Sequence, residues 1–401
     1  MAFRENRLKC KKTSMFRLIT ILCLCSFVFA GCANKNKQAE KKQQPKKYFS
    51  GFLSTNGSKI VDDKGNEVNI SGVNWYGAEY SYNNPEGLMT RRADDIIKQI
   101  KTMGFNTVRI PFNNAMLDEG AQALMVNYQL NPDLTGLNPV QVLDKIIDKC
   151  GKNGIRVFID QHRPDGKGQS PLWYSDTLTE EKWLNDWSTL AKRYKNNPTV
   201  IGADLHNEPN AEATWGTNDP KTDWKMAAEK CGNAILKENP DWLIIVEGVE
   251  KYNGTSNWWG GNLQGVAKSP IKLSVDNKLV YSAHEYCVSV GDQPWFNDPK
   301  FPNNMPGLWD KNWGFIVNQN IAPIIIGEFG GKQIYKKDEI EGKWFDTLAK
   351  YIKEKKLSWT YWSLNPESND TGGILVDDGS WKTIDNNKLN VLKPLQYPLI
   401  K

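Results

Sequence analysis

From residue 68 onward the chain alternates between short apolar runs and longer segments whose apolar residues recur at helical spacing. The runs are VNISGVNW, NTVRIPF, RVFIDQH, VIGADLH, LIIVEG, LVYSAHEY, PIIIGEFG and WTYWSLNP. They are too continuously apolar for strands with one wet face and fit a parallel sheet covered on both sides. Between them, RRADDIIKQIKTMGF sets Ile96, Ile97, Ile100 and Met103 on one face, and PVQVLDKIIDKCGKNG does the same with Val142, Leu143, Ile146, Ile147 and Cys150. Each segment ends near a glycine able to stop a helix. Eight alternations over roughly 330 residues predict a closed (β/α)8 TIM barrel, an α/β fold in one domain, rather than an open doubly wound sheet. No Gly-rich phosphate loop follows the first run, which also counts against the open sheet. Ahead of it, GFLSTNGSKIVDDKGNEVN has turn signals at Asn56-Gly57 and Lys64-Gly65, predicting a small N-terminal hairpin that caps the barrel bottom.

Charge divides the chain differently. The net charge of +5 comes from residues 1–47, which hold 12 Lys/Arg against 2 Asp/Glu; the remaining 39 basic and 44 acidic residues leave the body at −5. A nucleic-acid binder keeps its basic excess in the folded part, so that class is set aside. Basic residues from Arg4 to Arg17 precede an apolar run from Leu18 to Ala30 that is too short to span a bilayer as a stable helix. The run ends FAGC and resembles a bacterial lipoprotein leader. Residues 1–31 are expected to be a lipoprotein-type signal peptide, with lipid on Cys32, residues 32–47 a polar basic tether, and residues 48–401 the folded domain. A monomer at the cell surface or outside the cell is expected. Of seven cysteines, Cys150, Cys231 and Cys287 remain for the body; widely scattered, they read as small buried hydrophobes rather than a disulfide or metal framework.

In such a barrel, chemistry gathers at the carboxyl ends of the strands. Unusual polar residues fall there: Arg109, His162, His206 with Asn207 and Glu208, His284 and Tyr286, Glu328, and Trp362. The chain has three histidines, and every one closes a predicted strand. His206 is expected to brace its neighbours. Glu208 and Glu328 end the fourth and seventh runs and can face each other across the mouth. Two carboxylates flanking a gap are the machinery of glycoside hydrolysis, one protonated to assist the leaving oxygen and one ionised. Neighbouring negative charge is expected to raise the pKa of one, and Arg109 to keep the other charged. Asp160 with His162 and His284 lacks any metal-ligand spacing, so neither metal nor cofactor is expected. Glu79 reads as a subsite or structural residue. Sixteen tryptophans are far above ordinary use. Trp173, Trp215, Trp258, Trp259, Trp295, Trp309 and Trp313 follow strands and are expected to include stacking platforms for pyranose rings. Trp183, Trp187 and Trp344, on helices, are expected to fill the outer core.

These pieces, taken with DQHRPDGKGQSPLWY, VEGVEKYNGTSNWWGGNLQGV, FPNNMPGLWDKNWG and YWSLNPESNDTGGIL, resemble the glycoside hydrolase family 5 cellulases, from about residue 50 to 395. The resemblance implies an endo-β-1,4-glucanase acting by retaining double displacement, with Glu208 as acid/base and Glu328 as nucleophile. It implies that Asn207 holds the sugar 2-hydroxyl, that Arg109 and Tyr286 orient Glu328, that His162 and His284 line the cleft, and that Trp362 floors the scissile sugar. The partner is then a β-glucan polysaccharide. Gln161, where some relatives carry Leu or Arg, is expected to matter little. The same chemistry on mannan, xylan or mixed-linkage glucan, or a silent carbohydrate-binding lipoprotein, are the other readings.

Overall fold

The computed structural model describes residues 48, 49 and 51–400; the leader, Cys32 and the tether lie outside the described residues. Eight parallel strands close into a barrel: β1 (Ser71–Asn74), β2 (Thr107–Asn113), β3 (Arg156–Arg163), β4 (Val200–Asp204), β5 (Leu243–Glu247), β6 (Leu279–Tyr286), β7 (Ile324–Gly330) and β8 (Ser358–Tyr361). The ring closes where Trp359 of β8 pairs with Ser71 of β1 and Tyr361 with Val73. Every residue of β2, β4, β5 and β7 is buried, because one set of side chains fills the barrel while the other lies under the helices. Each predicted run coincides with a strand, although Asn113, Arg163 and Ser358 extend β2, β3 and β8 one residue beyond their runs and β4 stops at Asp204, short of His206.

The helices are α1 (Ala93–Thr102), α2 (Pro139–Lys152), α3 (Glu180–Arg193), α4 (Trp224–Glu238), α5 (Met305–Trp309), α6 (Phe315–Asn318), α7 (Ile340–Lys355) and α8 (Asn386–Leu392). Local chemistry sets their ends. At α2, Asn138 accepts from the Gln141 N–H, the Gln141 side chain answers at the Asn138 N–H, and Pro139 starts the first turn. The expected alternation fails once. Between β5 and β6 the described chain has no α-helix, only the 3-10 turn Gln264–Ala267 and a short hairpin pairing Lys251–Tyr252 with Thr255–Ser256. The segment is rich in Gly and Asn and lacks apolar residues at helical spacing, so it runs as a long loop over the mouth.

The predicted hairpin is a three-stranded antiparallel sheet (Ser54–Asn56, Lys59–Val61, Glu67–Val68). Its Leu53 and Ile60 join Ile70, Phe158, Ile201, Leu243, Ile245, Val280, Ile325 and Ile400 in one apolar cluster that fills the barrel floor. Fully burying each such side chain contributes about 1.5–3 kcal/mol. On the outside, Trp183 and Trp187 of α3 both donate their indole N–H to the Leu205 carbonyl, at 3.1 and 3.0 Å. Trp224 of α4 donates to the Glu247 carbonyl at 2.8 Å. Trp183, Trp187 and Trp344 are fully buried and fill the outer core, as expected, while Trp183, Trp187 and Trp224 also fasten the ends of β4 and β5. Cys150, Cys231 and Cys287 are buried and free.

Candidate active site

Arg109, pointing into the upper barrel from β2, is fully buried, and six polar partners from the strands and their ends surround its guanidinium. Its Nε donates to Asp204 Oδ2 (2.9 Å), its Nη1 to Asn74 Oδ1 (3.0 Å) and Glu328 Oε1 (2.5 Å), and its Nη2 to Asn207 Oδ1 (3.0 Å) and Glu247 Oε1 (3.1 Å). Asp160 Oδ2 lies 3.1 Å from the same Nη2. Burial works against the Arg109 charge, but Asp160, Asp204, Glu328 and Glu247 outweigh it and raise its pKa well above the ordinary value. Burial conversely pushes Asp160 and Asp204 well above the usual carboxylate range.

Beyond β4 the chain turns sharply. Glu208 has φ of 52°, the left-handed region a Glu rarely adopts. Its backbone N–H donates to Glu247 Oε2 at 2.8 Å, and its carbonyl accepts from Asn210 Nδ2 at 2.8 Å, which together hold the turn. Gly260, at φ of 69°, passes so close that a Cβ there would lie 2.3 Å from Glu247 Oε2. The Glu208 side chain emerges into the mouth. Oε1 accepts from His284 Nδ1 at 2.9 Å and Oε2 from Gln169 Nε2 at 3.0 Å. Glu328, from β7, accepts from Arg109 and from the Tyr286 hydroxyl at 2.5 Å. Single donor atoms of Glu208, His284 and Glu328 all lie within 4.8 Å of one another.

His284 is the electrostatic link between them. Its Nδ1 is 3.6 Å from Glu328 Oε2, and its Nε2 sits at ion-pair distance, 3.3 Å, from Glu247 Oε1. Burial opposes its charge, but Glu247, Glu328 and the bond to Glu208 prevail, so its pKa is raised well above the ordinary value. The consequence for Glu208 differs from the sequence expectation. Burial pushes its carboxyl up, yet His284 and Gln169 donate to it and hold it below its ordinary value. A second trio of close donors, Asp160, Asp204 and Glu247, surrounds the Arg109 guanidinium, which supplies the positive charge a cation would bring. Asp160 also accepts from or donates to His162 Nδ1 at 2.6 Å. His284 is absent from that trio, so the grouping of Asp160 with His162 and His284 is not assembled.

The mouth opens into a cleft of about 700 Å³. Along its floor Tyr76, Trp362 and His162 form a stack, with ring centroids 5.3 and 5.6 Å apart and planes within 19° and 12°. The tryptophan expectation needs correction. Of the seven, Trp258 and Trp259 line the cleft. Trp173, Trp215, Trp309 and Trp313 are buried, and three of their indole N–H groups are spent on the protein: Trp173 on Glu180 (3.3 Å), Trp215 on the Ser269 carbonyl (2.8 Å) and Trp313 on Glu285 (2.9 Å). Trp295 packs edge-on against Trp258, centroids 5.9 Å apart. Glu79 is structural: it is buried, accepts the Gly77 N–H at 2.6 Å, and burial pushes its carboxyl up to about 8. His206 is fully buried away from the cleft, its Nδ1 on Gln161 Oε1 at 2.7 Å.

Sequence reasoning missed Asp204, Glu247, Gln169, Tyr76, Tyr80 and the Glu367–Asp370 wall. The signal for the first two was present: a lone acid inside each of VIGADLH and LIIVEG needs a buried partner, and Arg109 sits in a run of the same kind. The Gln161 side chain accepts from His206 at 2.7 Å and donates to Asn114 at 2.9 Å, while its backbone carbonyl accepts the Asn207 N–H at 2.9 Å.

Comparison with known proteins places this geometry. The family model described as cellulase (glycosyl hydrolase family 5) matches residues 61–368. An endoglucanase of Paenibacillus polymyxa is 49% identical over 353 residues, covering 87% of this chain and 88% of that one. The major extracellular endoglucanase of Xanthomonas campestris pv. campestris is 42% identical over 350 residues, 86% and 71% of the two chains. The solved catalytic domain of the Xanthomonas enzyme superposes with a TM-score of 0.81 at 40% identity, covering 86% of this chain and 99% of that one. A cellotetraose complex of an endocellulase from Pyrococcus horikoshii gives 0.80 at 38% identity, covering 87% and 100%. The chain belongs to the cellulase family, glycosyl hydrolase family 5.

Proposed function

We propose that the cleft hydrolyses internal β-1,4-glucosidic bonds of cellulose or a related β-glucan by retaining double displacement, with Glu328 as nucleophile and Glu208 as acid/base. The observation that carries this reading is the spacing of the two carboxylates. Oxygens within 4.8 Å of each other leave a gap near the roughly 5–5.5 Å of retaining enzymes and too narrow for the water an inverting pair must hold. Glu328 bonds to the anomeric carbon as the glycosidic C–O bond breaks, and Glu208 gives its proton to the departing oxygen. Water then attacks the glycosyl-enzyme, its proton passing to Glu208 and Glu328 leaving as carboxylate.

The surrounding groups have roles consistent with this sequence. Arg109 and the Tyr286 hydroxyl each donate to Glu328 and hold its carboxyl aimed into the cleft. Asn207 Oδ1 is spent on Arg109, while its buried Nδ2 has no hydrogen-bond partner among the described residues, which suits a sugar hydroxyl. His162 and Trp362 offer a flat surface under the scissile sugar. Trp258 and Trp259 wall the cleft where a polymer must pass. Upstream, the basic, apolar and FAGC sequence of the leader supports a lipid-anchored location through Cys32, tested by labelled fatty-acid incorporation in wild type and its loss in Cys32→Ala.

The test is a panel of carboxymethylcellulose, mixed-linkage glucan, xylan and mannan with product analysis. Rapid viscosity loss with cello-oligosaccharide products is expected on the first. Proton NMR of the first product should show the β-anomer before mutarotation; initial α-anomer would refute retention, and release from mannan or xylan alone would refute the glucan assignment.

A further inference from the structure

Gln169 lies in the loop after β3, on the cleft wall, and donates to Glu208 Oε2 at 3.0 Å. The other oxygen, Oε1, accepts from His284, which is fully buried behind it. The two oxygens of the acid/base are therefore unequal. Oε1 belongs to the protein interior, and Oε2 is the one a glycosidic oxygen in the cleft can reach. Gln169 occupies that position in the empty site. Its loop is fastened to the Glu208 turn: the Asn210 N–H donates to the Pro171 carbonyl at 3.2 Å, while Asn210 Nδ2 holds the Glu208 carbonyl at 2.8 Å. The adjoining Ser170 is buried and donates to the Tyr174 carbonyl at 2.9 Å.

We infer that Gln169 is a positioning residue for the acid/base, an amide that holds Glu208 Oε2 in the empty site, yields it to the glycosidic oxygen for bond cleavage, and retakes it at the covalent stage. This rests on the roles proposed above for Glu208 and Glu328. An NH2 group satisfies an ionised carboxylate and has nothing to give a protonated one, whereas an incoming glycosidic oxygen is an acceptor and satisfies only the protonated form. Exchanging donor for acceptor thus raises the proton affinity of Glu208, which takes a proton from solvent, when an acid is needed. Return of the amide favours the ionised form when a base is needed. The other titratable groups facing Glu208 are His284 from β6, Glu328 from β7 and Glu247 behind its N–H from β5. His162 and Arg163 from β3, Tyr286 from β6, and Glu250, Glu367 and Asp370 from the loops complete the wall. Among the described residues, none of them donates to Oε2.

The experiment compares pH profiles of kcat/KM and kcat on cellopentaose for wild type, Gln169→Leu, which removes the donor, and Gln169→Glu, which keeps the shape and adds a like charge. Loss of the donor should move the alkaline limb of kcat/KM, which reports Glu208 as the acid, toward higher pH by about half to one unit in the Leu variant, and further in the Glu variant. Rates lowered at every pH with unmoved limbs, or a higher KM with unmoved limbs, would overturn the inference and leave Gln169 a loop or sugar contact. Circular dichroism checks folding; if the Leu variant does not fold, the isosteric Glu variant carries the test. Glu208→Gln runs in parallel. Near wild-type turnover there would sink the acid/base assignment itself, whereas an inactive Glu208→Gln beside unmoved limbs in both Gln169 variants would sink only the role of Gln169.

Discussion

The two halves of the barrel interior are built from the same eight strands and are chemically opposite. Toward the N-terminal ends, Phe158, Ile201, Leu243, Ile245, Val280 and Ile325 meet Leu53 and Ile60 of the small sheet in a floor of hydrocarbon. Two or more residues further along the same strands, Asp160, Asp204, Glu247, His284 and Glu328 gather around Arg109. Desolvating each ion costs several kcal/mol even after relaxation, and replacing such clusters by packed apolar groups is often neutral or stabilising. The floor therefore carries stability, and the mouth consumes some of it to hold charge in a fixed arrangement. What the contrast teaches is that strand position, rather than residue type, divides folding from chemistry.

The sharpest way to break the comparison is Glu328→Gln. Turnover of carboxymethylcellulose should fall by a factor on the order of 10³ or more, as loss of a nucleophile does, while cello-oligosaccharide binding by calorimetry persists and the thermal midpoint moves little. Residual activity above a percent of wild type would contradict the assignment. The converse change, Phe158→Ala in the floor, should cost about 3–5 kcal/mol in urea unfolding, yet the folded fraction should keep the wild-type pH profile; a shifted profile would mean the floor and the mouth are not separable. Between the halves stands Glu247, which touches no substrate but holds the Glu208 N–H, Arg109 and His284. Glu247→Gln should lower kcat on the order of 10²-fold through misplacement with a smaller change in KM, read from steady-state kinetics on cellopentaose. The smallest effect is expected at Trp259, 46% exposed on the cleft wall. Its replacement by Ala should raise KM for polymer about two- to tenfold, the loss of a single stacking contact, with kcat on a short aryl cellobioside unchanged within twofold.

The parts legible in the sequence were those in which periodicity and position carry the message. Eight apolar runs demanded a covered parallel sheet, and Glu208 and Glu328 announced themselves because a carboxylate ending such a run needs a reason to be there. Asp204 and Glu247 stayed hidden for the opposite cause: lying inside their runs, they look like noise in the hydrophobic pattern unless all the buried charges are balanced together. The tryptophans failed differently. Residue type cannot say which face of a loop an indole occupies, so Trp309 and Trp313, on and beside α5, went to the interior while Tyr76 took a place in the floor stack. The missing helix between β5 and β6 was written in the glycines of residues 248–265, but the rhythm of the other connections overrode it.

Phe49 lies against Arg156, its ring 3.8 Å from the guanidinium carbon, at the very start of β3. Phe49, among the first described residues, thus covers the underside of the barrel, at the pole opposite the catalytic slot.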